Sequence, residues 1–247
     1  LGQSQNFKRP FHHFHQLNET HGLSNNVIND ILQDQTGFIW VATEDGLFRY
    51  DGNEFIIFKN KLDDPNSLPN NSVHALYCDI SNRIWALTDY GIGIYDSKKD
   101  EMTQILIGNL PHQLPHKSVT SITGKRGGAK YIGTFGGGVI EFKNNQFEKL
   151  RVEHNPDSIA LDQQLVSQVY LDTDSILWIG TWNDGLLKMD LKYNRLEAVS
   201  FNSQSPLRIH TIYGKGNQLL IGSNHGLWFY DKKENIYQHF SKATHDW

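Results

Sequence analysis

The sequence predicts an all-β fold, and three observations carry the prediction. A motif of about 45 residues recurs five times along the 247-residue chain. The composition combines 6 Trp, 10 Tyr and 13 Phe with 21 Gly, so strand-forming and turn-forming residues are both abundant. No helical period of 3.6 residues is sustained anywhere in the chain.

The repeat is defined by one large anchor residue in each copy. The anchors are separated by 45, 46, 47 and 42 residues, and they are Trp40, Trp85, Tyr131, Trp178 and Leu220. In three copies an aspartate stands six residues before the tryptophan, as Asp34, Asp79 and Asp172. Four short strands repeated at this spacing are typical of a β-propeller blade. We therefore predict five blades at residues 23–60, 68–107, 114–150, 161–201 and 206–241.

Within each copy the predicted elements follow the same order. The first strand reads Val/Ile-x-x-Val/Ile/Leu, and the second contains the anchor, usually followed two residues later by Gly and then by Thr. The third strand resembles Gly-Leu-x-x-Tyr-Asp, and the fourth is a looser apolar run. We expect the first two strands to be buried on both faces between blades, with the anchor filling the wedge and the glycine admitting a neighbouring backbone. The repeated Trp, Gly, Thr and Asp are thus interpreted as architecture.

The strand count does not fit a closed ring. An additional strand-like run at residues 10–17 precedes the first blade, and it would complete a further blade lying outside residues 1–247. The whole chain is therefore interpreted as a single propeller segment, an excerpt of a larger ring. The alternative is a closed ring of five blades with the N-terminal strand added outside it.

The first repeat also resembles a known family. Gly22-Leu23-Ser24-Asn25-Asn26, followed by Asp34-x-x-Gly37-Phe38-Ile39-Trp40 and by Gly46-Leu47-x-Arg49-Tyr50-Asp51-Gly52, resembles the two-component regulator propeller repeat. The second and fourth repeats match well, whereas the third and fifth depart from the pattern at Tyr131, Lys143 and Leu220. The resemblance covers about residues 10–241.

The resemblance implies a function that the spacing alone does not. Members of this family are periplasmic sensor regions in which tandem seven-bladed propellers precede a β-sandwich, a membrane helix and a cytoplasmic output domain, so the resemblance implies that this chain is an excerpt of a seven-bladed ring. The output is commonly a histidine kinase and sometimes a diguanylate cyclase, and several members sense carbohydrates. The resemblance therefore implies a homodimeric membrane receptor, with neighbouring propeller and sandwich domains as partners.

Charge and composition exclude several other functions. With 23 Lys and Arg against 27 Asp and Glu, the formal charge of −4 argues against nucleic-acid binding. No apolar run reaches the 18–20 residues, roughly, of a membrane helix, so we expect no membrane contact by this segment. The single cysteine, Cys78, allows no internal disulfide and no cysteine-based zinc site. The cluster of His12, His13 and His15 is interpreted as a solvated strand, so no metal or cofactor is predicted.

The candidate binding residues lie in loops. In a propeller the loops that lead into the first strands share one face with the turns between the second and third strands. Aromatic rings and amides on such a face suit a carbohydrate or another small polar ligand. The candidates are Asn25, Asn26, Asn70, Asn71, Tyr90, Trp182, Asn183, Asp184 and His225. Trp182 is the sharpest of them because it lies in a one-residue insertion that repeats one and two lack.

Two other functions stay open at this point. A propeller enzyme acting on glycans would need two carboxylates across a pocket, which Glu44, Asp45, Asp89 and Asp184 could supply by position. A free-standing protein-interaction propeller is the other alternative. No nucleophile elbow, P-loop or dinucleotide motif is present, so no catalytic residue is predicted. We favour a non-catalytic sensor segment on the periplasmic side of the inner membrane.

Overall fold

Twenty β-strands form five separate antiparallel sheets of four strands each in the part of the chain that the structure describes. The structure is a computed structural model, and it describes residues 16–25, 27–108, 116, 118–125, 127–172, 175–201 and 207–241. The strands of every sheet are ordered as they are in the sequence, without crossovers. The prediction of five four-stranded blades is confirmed.

The strands of the five blades have the following bounds. Blade 1 contains β1 (Ile28–Gln33), β2 (Ile39–Thr43), β3 (Gly46–Tyr50) and β4 (Phe55–Phe58), and blade 2 contains β5 (Val73–Cys78), β6 (Arg83–Thr88), β7 (Gly91–Asp96) and β8 (Glu101–Leu106). Blade 3 contains β9 (Val119–Gly124), β10 (Lys130–Thr134), β11 (Gly138–Lys143) and β12 (Gln146–Lys149). Blade 4 contains β13 (Val166–Leu171), β14 (Ile176–Thr181), β15 (Leu186–Asp190) and β16 (Arg195–Val199), and blade 5 contains β17 (Ile209–Lys215), β18 (Gln218–Ser223), β19 (Gly226–Asp231) and β20 (Ile236–Phe240). Two single turns of 3-10 helix, Glu19–His21 and Leu161–Gln163, are also present.

The core lies between blades rather than within one. The first strands of consecutive blades are neighbours, and four apolar clusters fill the spaces between successive sheets. Each anchor of blades 1 to 4 belongs to the cluster shared with the following blade, so Trp40 and Trp178 pack against blades 2 and 5 respectively. This is the wedging role that the repeat predicts.

The two outer faces of the row of blades are less well covered. On the outward face of blade 1, Leu23 from the preceding segment packs on Val41 and Phe48, but Ile31 remains 58% exposed. On blade 5 the anchor equivalent, Leu220, is only half-buried. The expectation that first strands are buried on both faces is therefore wrong for β1 and β17, because among the described residues no neighbouring sheet covers those faces.

The additional N-terminal strand lies largely outside the described residues. Residues 10–15 are not among them, and the histidine cluster at positions 12, 13 and 15 falls in the same stretch. Gln16 and Leu17 are described and belong to no strand.

Two recurring residues of the motif have a visible structural role. The threonine at the end of the second strand of blades 1 to 4, replaced by Ser223 in blade 5, closes the following turn, as Thr43 Oγ1 does by donating to Gly46 O at 2.9 Å. The glycine two residues after the anchor does admit a close neighbour, but the neighbour is a side chain. A Cβ placed on Gly180 would lie 2.6 Å from Ile209 Cγ2 of the next blade. The expected backbone approach at this position is thus replaced by side-chain packing between blades.

Candidate functional site

The loops that lead into the first strands meet the turns between the second and third strands. We call this side of the molecule the loop face. Ser72 Oγ, just before β5, donates to Glu44 Oε2 of the blade 1 turn at 2.8 Å. Gln164 Nε2, just before β13, donates to Asp184 Oδ2 of the blade 4 turn at 2.6 Å. The two sets of loops are therefore joined by hydrogen bonds within one blade and between neighbours.

A β-bulge recurs at the start of every first strand. The register between first and second strands shifts at the second residue of each first strand, which has no partner across the ladder. A bulge changes the direction in which a side chain points. The bulged residues are all polar, and they are Asn29, His74, Thr120, Ser167 and His210.

All five bulged residues line one polar cleft at the inner edges of the blades. We call it the axial cleft. It has a volume of about 470 Å³, and its other polar lining residues are Asp30, Ser121, Gln168 and Thr211. Because the inner edge of a first strand has no strand partner, some of these side chains bond the neighbouring backbone. Asp30 Oδ2 accepts from Leu76 N at 2.8 Å, and Ser121 Oγ accepts from Val169 N at 3.0 Å.

The electrostatics of the cleft differ from one blade to the next. Burial raises the pKa of Asp30, although hydrogen bonds from the Leu76 and Ile31 amides oppose the shift. His74 Nε2 lies 2.7 Å from Asp89 Oδ1, so that carboxylate holds the imidazole in place. The Thr120 hydroxyl oxygen is buried without a hydrogen-bond partner among the described residues.

The predicted asparagines occupy turns in which their amide oxygens are already engaged. Asn25 Oδ1 accepts from Val27 N at 2.7 Å, and Asn70 Oδ1 accepts from Ser72 N at 2.8 Å. Asn71 Oδ1 accepts from Asn60 N at 2.7 Å. Asn26 lies outside the described residues. These asparagines shape the loop face, and their nitrogens remain the groups that could face a ligand.

The predicted residues of the second to third strand turns are more accessible. Tyr90 is 63% exposed on the blade 2 turn, and Asn183, Asp184 and His225 are also exposed. His225 O is 2.6 Å from His239 Nε2, so the backbone of that turn is tied to β20.

Among the predicted binding residues, Trp182 contacts side chains of both neighbouring blades. Its half-buried ring lies edge-to-face with Phe135 of blade 3 at a centroid distance of 5.5 Å. His210 of blade 5 makes a similar contact at 6.3 Å. The guanidinium of Arg208 lies 5.6 Å from the centre of the Trp182 ring. The structure thus brings side chains of three blades together at the edge of the axial cleft.

The bulged residues, together with Arg208 and Gln168, were missed by sequence reasoning. The sequence does contain a signal for the bulged set, because the second residue of every first strand is polar and directly follows an apolar residue. That position points into the cleft only because of the bulge, which alternation alone does not predict.

The four carboxylates considered for catalysis are each held by another side chain. Glu44 accepts from Asn29 and Ser72, and these hydrogen bonds lower its pKa. Asp45 pairs with Lys59 at 2.6 Å. Asp89 pairs with His74 and Asp184 bonds Gln164, as described above. A glycosidase needs one carboxyl that stays protonated, and a lowered pKa does not suit Glu44 for that role.

No group of three or more potential metal ligands was found among the described residues. Burial raises the pKa of the Cys78 thiol, and its Sγ lies 3.3 Å from Asn82 Oδ1. A raised pKa keeps this thiol protonated and poorly nucleophilic. Among the described residues, no helix is long and apolar enough to cross a bilayer.

Comparison with known proteins places the chain in a sequence and structural context. The sequence profile described as "Two component regulator propeller" matches residues 22–45 and 67–90. Histidine kinase P4 of Formosa agariphila is 46% identical over 43 residues, which are 17% of this chain and 3% of that protein. The two profile matches cover the first and second strands of blades 1 and 2, the two copies in which the motif is best preserved.

Solved structures share the fold. The extracellular domain of the hybrid two component system BT3049 from B. thetaiotaomicron superposes with a TM-score of 0.76 at 23% identity, covering 91% of this chain and 31% of that one. The GH74 enzyme of Niastella koreensis gives a TM-score of 0.64 at 12% identity, covering 87% of this chain and 37% of that one. The chain therefore spans about a third of the length of these structures. At such identities the likeness concerns the fold, and sensor and enzyme share it.

The repeat motif and its match to the profile in blades 1 and 2 agree with the observed architecture of five four-stranded sheets. The chain is a β-propeller segment whose first two blades contain two-component regulator propeller repeats.

Proposed function

We propose that this chain is the ligand-sensing part of the extracytoplasmic propeller of a membrane-bound two-component receptor and that it is not itself catalytic. The observation that carries the proposal is the match of two repeats to the two-component regulator profile. The 46% identity over 43 residues with a histidine kinase supports the same assignment. The output domain, a histidine kinase or a diguanylate cyclase, would belong to the rest of the receptor on the other side of the inner membrane.

Further blades would complete the ring in the receptor. The half-buried Leu220 on one end and the exposed Ile31 on the other support this arrangement, because equivalent positions in the inner blades are covered by a neighbouring sheet. The seven-bladed ring would then contact the neighbouring propeller and sandwich domains, and two receptors would form a homodimer on the periplasmic side.

The ligand would be a carbohydrate or another small polar molecule bound at the loop face. The grouping of Trp182 with Phe135 supports a sugar, since aromatic rings contact the apolar faces of sugar rings. The polar axial cleft beside them supports hydrogen bonding to hydroxyl groups. Binding would transmit a signal only through a difference in affinity between two arrangements of the receptor subunits.

A saccharide screen by thermal shift tests the proposal. We expect at least one oligosaccharide to raise the melting temperature of the protein, and Trp182→Ala to remove that rise. Tyr193→Ala is the matched control, because Tyr193 is an exposed aromatic residue of the β15–β16 turn rather than of the loop face. In the full receptor, the same saccharide should change the output activity.

The opposite result is also well defined. Turnover of a glycan that is abolished by Glu44→Gln or Asp89→Asn would show that the propeller is an enzyme. A screen without any stabilising saccharide, combined with an unaltered receptor output, would contradict a carbohydrate-sensing role.

A further inference from the structure

Arg208 presents an uncompensated positive charge at the edge of the axial cleft. Its side chain is exposed, and it makes no ion pair with any residue that the structure describes. The Trp182 ring lies 5.6 Å from the guanidinium carbon, within the range of a cation–π contact. Such a contact limits the positions that the guanidinium can adopt before a ligand arrives.

Unused hydrogen-bonding groups lie beside this cation. The amide of Gln168, the imidazole of His210 and the hydroxyl of Thr211 all line the cleft, and none has a hydrogen bond to a described residue. They belong to blades 4 and 5, the same blades that supply Trp182 and Arg208.

The opposite side of the cleft has a different character. Asn29 Nδ2 donates to Glu44 and to Val73 O, both at 2.9 Å. His74 is held by Asp89. The hydrogen-bonding groups of blades 1 and 2 are thus largely engaged within the protein, and the carboxylates of the cleft lie on that side. Among the described residues of the cleft and its edge, the unpaired cation Arg208 and the unengaged side chains of Gln168, His210 and Thr211 belong to blades 4 and 5.

We infer that Gln168, Trp182, Arg208, His210 and Thr211 form a subsite for an acidic sugar residue, one that carries a carboxylate or a sulfate. We call it the blade 4–5 subsite, and the inference rests on the proposed carbohydrate-sensing function. Arg208 would bind the anionic group through paired N–H donors, which fit the two oxygens of a carboxylate or sulfate. Gln168, His210 and Thr211 would bond the hydroxyls of the same sugar, while Trp182 positions the guanidinium.

Among the described residues, Asp184 makes no ion pair with Arg208. Asp184 lies on the same turn as Trp182, but its Oδ2 accepts a hydrogen bond from Gln164 at 2.6 Å. A neutral sugar would leave the Arg208 charge unpaired and displace its water, so the arrangement favours an anion over a neutral ligand of the same size.

Calorimetric titration with three oligosaccharides tests the inference. The probes are tetragalacturonate for the carboxylate, a chondroitin sulfate tetrasaccharide for the sulfate, and cellotetraose as a neutral sugar. We expect one acidic probe to bind at least about tenfold more tightly than cellotetraose. Arg208→Gln should remove about that factor, and Arg208→Lys should restore part of it because it retains the charge without the planar fork.

A matched variant separates local recognition from net charge. Arg195→Gln removes the same charge from β16, the outer strand of blade 4, where Arg195 is paired with Glu197. Affinity for the acidic probes should be unchanged in Arg195→Gln, and the melting temperature of each variant without ligand reports whether it is folded.

The outcomes distinguish this inference from the proposed function. Cellotetraose binding as tightly as both acidic probes, or Arg208→Gln leaving acidic affinity unchanged, overturns the subsite and leaves carbohydrate sensing in place. Absence of binding by every saccharide in the wider screen contradicts the proposed carbohydrate sensing, and the subsite falls with it. Loss of acidic affinity in Arg195→Gln as well as Arg208→Gln would also overturn it, since net charge would then explain the preference.

Discussion

Trp40 Nε1 donates a hydrogen bond of 2.8 Å to Asp34 Oδ2, and both side chains are buried. The other oxygen of the same carboxylate accepts from Thr36 N at 2.8 Å and from Phe38 N at 3.1 Å. One aspartate thus joins the anchor of the interblade core to the turn between β1 and β2. The same relation recurs between Asp79 and Trp85, at 3.2 Å. This explains the constant separation of six residues in the motif.

Asp34→Asn should destabilise the protein in a pH-dependent way. Burial alone would raise the pKa of Asp34, but the hydrogen bonds from Trp40, Thr36 and Phe38 outweigh it and the pKa is lowered. A lowered folded-state pKa contributes stability above the unfolded value of about 3.9, and this contribution disappears as the pH falls through the folded-state pKa. We expect Asp34→Asn to cost about 1–3 kcal/mol of unfolding free energy at neutral pH.

Urea unfolding followed by tryptophan fluorescence between neutral and strongly acidic pH measures this effect. The difference between the wild-type protein and Asp34→Asn should shrink once the pH falls below that unfolded-state value. Asp63→Asn is the control, because Asp63 is exposed and its φ of 62° is one that asparagine tolerates. A difference that stays constant down to the lowest pH would show that the charge of Asp34 contributes nothing.

Tyr131, the anchor of blade 3, should govern part of the stability at alkaline pH. Burial, reinforced by the neighbouring Glu141 carboxylate, raises the pKa of Tyr131 to about 12. Ionisation is thus easier in the unfolded chain, so the stability is intact below the unfolded pKa of about 10 and declines as the pH rises from there towards the folded value.

Tyr131→Phe should make this alkaline decline less steep. It should not abolish the decline, because burial also raises the pKa of Tyr77, Tyr95, Tyr170 and Tyr230. Denaturant unfolding at a series of pH values above about 9 gives the slope, and Tyr193→Phe, on the exposed β15–β16 turn, should leave it unchanged. Equal slopes in wild type and Tyr131→Phe would contradict the assignment.

The fold could be predicted from the sequence because the same physical requirement is met five times. Each blade must bury a large anchor against its neighbour, and each second strand must end in a tight turn, so Trp, Gly and Thr recur at fixed spacing. The exposure of Ile31 could not be predicted in this way. It depends on what covers the outer face of blade 1, and the residues of blade 1 carry no information about that cover.

The site was harder to predict from the sequence, for a different reason. The position of Trp182 on a longer turn could be read from an insertion, and the structure does place it among residues of three blades. Its partners Arg208 and His210 come from the next blade, at a distance in sequence that no local pattern encodes. The bulge at each first strand is a backbone feature, so the direction of His210 into the cleft required coordinates.

Gly180→Ala should weaken the packing between blades 4 and 5. The new Cβ would lie 2.6 Å from Ile209 Cγ2 and 3.0 Å from Ile209 Cβ, so that a buried strand would have to move. We expect a loss of about 1–3 kcal/mol, the range for overpacking a core. Gly222→Ala is the matched variant at the same repeat position of blade 5, where the nearest atom is the Thr211 methyl at 2.8 Å.

Melting temperatures of the two glycine variants give the comparison directly. Gly222→Ala should cost clearly less, because Thr211 is exposed and its side chain can move aside. Equal losses in the two variants would mean that the methyl group itself, rather than the neighbouring blade, sets the cost.

Trp178→Ala and Leu220→Ala should differ in cost although both replace an anchor. Trp178 is buried in the cluster between blades 4 and 5, so its truncation should cost about 3–5 kcal/mol. Leu220 is half-buried on the outer face of blade 5, and its truncation in this chain should cost about 1 kcal/mol or less, since little area leaves the interior.

The comparison becomes decisive in a longer chain that carries the next blade. If a further sheet packs on blade 5 as blade 5 packs on blade 4, the cost of Leu220→Ala should rise to about 2–5 kcal/mol there, while that of Trp178→Ala should stay the same. Urea unfolding of both variants in both chain lengths measures the four values. An unchanged, small cost for Leu220→Ala in the longer chain would mean that the outer face of blade 5 is not an interblade surface, because burying this anchor is what each of the inner interfaces has in common.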